Sequence, residues 1–165
     1  MRVCKGWIAP VFATAALFGA PTAAADINIS GINIGAQGNA HATFGNIAIA
    51  NGADSEATAN GGIGNVALAS GASRATVNGG VLNIATAAGD GSHSAIVNSS
   101  LNVASSLNGG DVAVNNSVGT FNAALGQGSK AGSNGIVGSV QTAFCGGTAL
   151  SAQGRINVSA PCIGG

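Results

Sequence analysis

The chain has 165 residues, of which only ten are Asp, Glu, Lys or Arg and 28 are glycine. Five basic against five acidic residues leave no basic stripe for nucleic acid and no polybasic patch for a membrane surface. A hydrophobic share of 46% excludes the composition of a disordered chain, yet aromatics make up only 4%, so the apolar content is mostly small Ala, Val and Ile.

Residues 1–25 read as a secretory signal peptide. Arg2 and Lys5 supply the positive start, Trp7 to Phe18 the apolar stretch, and Ala23-Ala24-Ala25 the small-residue site, with cleavage expected between Ala25 and Asp26. The apolar stretch is too short for a bilayer and holds Pro10, and no later stretch is long enough to span, so no transmembrane segment is expected after cleavage. The address is therefore secreted, extracellular or cell-surface. The expected mature chain, 26–165, carries three basic and five acidic residues, a net charge of −2.

Residues 26–44, with Ile32-Asn33-Ile34-Gly35, read as an N-terminal cap or partial coil. From 45 to 135 the chain repeats itself. Asn opens an alternating run at Asn46-Ile47-Ala48-Ile49-Ala50, Asn65-Val66-Ala67-Leu68-Ala69 and Asn83-Ile84-Ala85-Thr86-Ala87, and more weakly after Asn102 and Asn122. A second motif ends in Asn60, Asn78, Asn98, Asn115 and Asn134, so two independent anchors keep a period of about 19, a solenoid signature. Alternation of period two means strands. The expectation is an all-β fold, a short β-solenoid of about five coils rising roughly 4.8 Å each, with an antiparallel β meander as the alternative. Asn46, Asn65, Asn83, Asn102 and Asn122 are expected to stack as a ladder along the axis, tolerating left-handed corners. Ile47, Ile49, Val66 and Leu68 are expected to point inward, and the intervening alanines outward.

Asp54, Glu56, Arg74, Asp90, His93, Asp111 and Lys130 all follow their repeat's Asn by seven to ten residues, which predicts one charged corner and places Glu56 beside Arg74. A solvated turn that limits aggregation explains this; a weak cation site at Asp54, Asp90 and Asp111 is the rival, although the G-G-x-G-x-D pattern of calcium-binding rolls is missing. Residues 136–165 break the repeat and read as a C-terminal β cap, tied by a disulfide between Cys145 and Cys162, the two cysteines of the exported part.

Asn65-Val66-Ala67-Leu68-Ala69-Ser70-Gly71-Ala72-Ser73 and Gly126-Gln127-Gly128-Ser129-Lys130-Ala131-Gly132 resemble the head repeats of trimeric autotransporter adhesins. That resemblance implies a β-roll coil and binding to extracellular matrix; the stalk and membrane anchor of that family have no counterpart here. Chemistry is thin. His41 and His93 are the only histidines, and the Gly-rich runs at 61–64 and 126–128 are turns rather than a nucleotide fingerprint. No catalytic residue, metal ligand or cofactor is expected. The expected function is that of a non-enzymatic interaction or structural module, adhesin-like, with an extracellular protein, a glycan or a second copy as partner. The alternatives are a self-assembling amyloid or pilus-like subunit and, further off, an acyltransferase-like β-helix enzyme using His93.

Overall fold

A computed structural model of the chain describes residues 25–34, 39–52, 54–144, 147–151 and 156–159. Within them every regular element is a strand. One sheet holds nine strands: β1 (Ala25–Ile29), β2 (Ile32–Ile34), β4 (Ile47–Asn51), β6 (Val66–Ser70), β8 (Ile84–Ala88), β10 (Val103–Leu107), β12 (Val118–Leu125), β14 (Val137–Phe144) and β16 (Ile156–Ser159). The other holds seven: β3 (Ala40–Ala42), β5 (Glu56–Asn60), β7 (Arg74–Asn78), β9 (His93–Val97), β11 (Asp111–Asn115), β13 (Lys130–Asn134) and β15 (Thr148–Ser151).

The chain alternates between the sheets, so each strand lies parallel to the strand two places on, as β6 does to β8 and β7 to β9. That is a β-solenoid, and the parallel pairing rules out the antiparallel meander. Antiparallel pairing is confined to the start, where the β1–β2 hairpin adds to β4. The stack makes about six turns rather than the expected five. The extra length comes from the tail: β14, β15 and β16 continue both sheets in parallel register, so the segment from 137 does not break the coil. Its alternation is masked by irregular composition, but the backbone ladder is indifferent to side chains. Cys145 and Cys162 lie outside the described residues, and the disulfide cap is without structural support.

Between the sheets the chain turns through left-handed residues. At one corner these are Gly61 and Gly64, then Gly79 and Leu82, Asn98 and Leu101, Asn116 and Gly119, Gly135 and Gly138. Gly80, also at positive φ, could be nothing else, because a Cβ there would overlap the Ser99 carbonyl of the next coil.

The core inverts the expected faces. Ala48, Ala50, Ala67, Ala69, Ala85 and Ala87 are buried between the sheets, opposite Ala57, Ala59, Ala75 and Val77. Val66, Leu68 and Ile84 point the other way. Strict alternation says which residues share a face but not which face is inside. The seven-stranded sheet fills the space opposite with Val77, Ile96, Val112 and Val114, so the nine-stranded sheet contributes only small side chains and its larger ones are displaced outward.

Candidate functional site

Four asparagines are linked by hydrogen bonds from coil to coil. Asn46, Asn65, Asn83 and Asn102 are fully buried at the entry to their strands. Asn65 N–H donates to Asn46 Oδ1 at 2.9 Å, Asn83 N–H to Asn65 Oδ1 at 3.1 Å, and Asn102 N–H to Asn83 Oδ1 at 3.2 Å. Each amide also reaches across the turn to the next coil's corner carbonyl, as Asn83 Nδ2 does to Ser99 at 2.6 Å and Asn102 Nδ2 to Ser117 at 2.9 Å. The fifth rung differs. Thr120, not Asn122, meets Asn102, with its N–H at 2.8 Å and its hydroxyl at 2.7 Å from Asn102 Oδ1. Asn122 sits two residues further on, in register with Ala104 in the core, and accepts from Ser133 Oγ at 2.9 Å.

A second column of one residue type stands at the other corner. Ser55, Ser73, Ser92 and Ser129 are buried at the entry to β5, β7, β9 and β13, and their hydroxyls donate to carbonyls at or just past the end of the preceding strand. Their near-constant spacing was the available signal. It was obscured by Gly110, which takes the serine's place in one coil.

The two outer faces differ sharply. On the seven-stranded sheet, Glu56, Arg74, His93, Asp111, Lys130 and Thr148 fall in one straight row. Glu56 and Arg74 pair at 2.6 Å as expected, both well exposed, which is worth about 0.2–1 kcal/mol at such a site. The row stands on the first outward position of each strand; only Asp54 and Asp90 occupy the turn where all seven groups were expected. A shallow hollow of about 250 Å³ beside Arg74 and His93 is lined also by Asp54 and Glu56. Among the described residues no three of His, Cys, Asp and Glu gather to hold a metal ion. Asp54, Asp90 and Asp111 are thus not brought together, and Asp90 Oδ1 instead accepts from the Ala72 N–H at 3.4 Å. His41 is exposed on β3 of the same sheet, away from His93 by several strands.

On the nine-stranded sheet the outward side is uncharged and carries large apolar side chains beside a second row with Thr86, Ser105 and Thr142. Its first row runs unbroken through Ile32, Ile29, Ile47, Val66, Ile84, Val103, Phe121, Val140 and Ile156. The adjoining corner adds Phe44, Ile63, Val81, Val118 and Val137. Every exposed large hydrophobic whose side chain is described lies on this sheet or that corner. A groove of about 510 Å³ runs along it beside Val103, Phe121, Val140 and Ile156. Leu82 and Leu101 are notable: both occupy left-handed positions where other coils use Gly64, Gly119 and Gly138, yet both remain more than half exposed, at 56% and 57%. A leucine there costs about 1–2 kcal/mol, and its exposure shows little burial gained in return.

Among the described residues no helix is long and apolar enough to cross a membrane. Comparison with protein-family models, curated proteins and solved structures gave no match to this chain.

Proposed function

We propose that this chain is an exported, non-enzymatic repeat protein that works as an extracellular or cell-surface interaction and structural module, adhesin-like in its coil. The observation that supports it most is the segregation of its two faces: an outward row of charges on one sheet and an outward row of large apolar side chains on the other. Contiguous exposed apolar surface of this extent marks a contact site. Export follows from the N-terminal pattern at Arg2, Lys5 and Ala23-Ala24-Ala25. An oxidising destination lets Cys145 and Cys162 pair. The likeness to adhesin heads rests on the coil type and the quoted repeats alone.

The test is expression of the full chain in a secreting bacterial host. The expected product starts at Asp26, weighs two hydrogens less than the reduced chain, and is retained on an apolar resin from which an Ile84→Lys variant elutes early. A product kept in the cytoplasm with Met1 intact would overturn the export reading, and equal elution of the two proteins would overturn the contact-surface reading.

The alternative, a self-assembling amyloid-like subunit, draws on the in-register parallel stacking of like coils, the geometry that fibrils use. Against it, the β1–β2 hairpin lies antiparallel over the first coil's edge in the nine-stranded sheet, where a parallel neighbour would have to add.

A further inference from the structure

We propose that the apolar face is a self-pairing surface: two copies of this chain pack with their nine-stranded sheets face to face, leaving the charged rows outward. The proposal rests on the contact-surface reading above and names its partner.

Three features of the face point to a second copy. The first is relief. Ile84, Val103 and Phe121 form a ridge; two residues on along the same strands, Thr86, Ser105 and Ala123 form a trough in strand register with it. When a two-fold axis lies in the plane of contact, between these rows, the ridge of each copy lies over the trough of the other, an isologous arrangement. The second is period. Rungs of both copies share one strand spacing of about 4.8 Å, so ridge and trough stay in step across β8, β10, β12 and β14 at the sheet separation of about 10 Å, with Leu68 and Val158 closing the trough at its two ends. A partner lacking this repeat falls out of step within a few rungs.

The third is area and charge. The outward Ile27 and Ile49 are already covered, so the open face is the six strands of this sheet from β6 to β16, a flat footprint of about 500 Å². The exposed corner side chains add to it, toward the ~800 Å² that each partner contributes to a standard stable interface. Among the described residues the face bears no charged side chain; the charges stand on the opposite sheet and in turns. A two-fold contact therefore sets no like charges against each other, and an acidic or basic partner finds no counter-charge. Leu82 and Leu101 flank the ridge, and pairing would give these exposed, left-handed leucines the burial they lack.

Light scattering coupled to size exclusion on the full chain, purified as recovered from a secreting host, reads the outcome. Detection is by peptide absorbance because the chain has no Tyr and its single Trp, Trp7, lies in the expected leader. The expected mass is twice that of the chain across the micromolar range. Ile84→Lys should be monomeric, with an unchanged far-ultraviolet dichroism spectrum. A Leu82→Gly, Leu101→Gly double variant should also stay folded, since glycine holds those corners in other coils, and should weaken pairing at least tenfold. Thr76→Lys, on the opposite sheet, should pair as wild type does. A monomeric wild type overturns the proposal: if it binds a fluorescent apolar dye that Ile84→Lys does not bind, the contact-surface reading survives, and if it binds none, both fall. Fibres that form equally well with Ile84→Lys would place the contact at the sheet edges and also overturn self-pairing.

Discussion

Asn83 carries more hydrogen bonds than any apolar side chain could replace. Its amide donates to Ser99 O and Asn65 Oδ1, and its carbonyl oxygen accepts the Asn102 N–H and amide. Asn83→Ala strands the buried Asn102 N–H and the Ser99 carbonyl, each costing about 1–3 kcal/mol, so the variant should lose roughly 3 kcal/mol in denaturant unfolding. Ser106 is the converse. It is fully buried, its hydroxyl has no hydrogen-bond partner, and its neighbours in register are Ala87 and Ala124. Ser106→Ala should leave stability unchanged or raise it by about 1 kcal/mol, read as a higher melting temperature. At this scale the ladder was legible because one residue type recurred at one spacing. The fifth rung was not, because Asn122 lies two residues from Thr120. A slip of two preserves the alternation, so only the backbone register separates them.

Single strands show the larger reversal. An Ile-Ala-Ile-Ala run presents one bulky and one small edge, and apolar bulk ordinarily goes inside. Here the strands across the core turn Val77, Ile96, Val112 and Val114 inward, so the nine-stranded sheet can offer only its small edge. Ala85→Leu should overpack that space and cost about 1–3 kcal/mol, whereas Thr86→Leu, which matches the outward Leu68, should change stability by less than about 0.5 kcal/mol. Paired melting curves check both, and equal losses would restore the expected orientation. The charged row was legible in part. Spacing brought Glu56 and Arg74 together, but it placed the row in a turn, because a count from an anchor does not reveal where a strand begins.

The whole molecule is a sum of near-identical coils, each touching only its neighbours. Deleting residues 66–83 joins Asn65 to Ile84 in the position that Asn83 held, and brings Glu56 level with His93. The shortened chain should fold cooperatively with a smaller unfolding enthalpy and a lower denaturant slope, since less surface is exposed on unfolding. Loss of all β dichroism would contradict the repeat model. The paired faces would also shorten by one rung, which weakens self-pairing without abolishing it.

By itself the sequence determined the strands, the repeat and the recurrence of Asn46, Asn65, Asn83 and Asn102, because these follow from local alternation and from like residues at one period. The parallel solenoid rather than the meander was decided by pairing between coils. The tertiary structure alone decided which side of each strand is inside, how far the coil runs, and that the apolar residues form one exposed face. Those outcomes depend on the distance between two sheets and on the register between coils. Both are set by contacts between residues far apart in the chain, which no local pattern encodes.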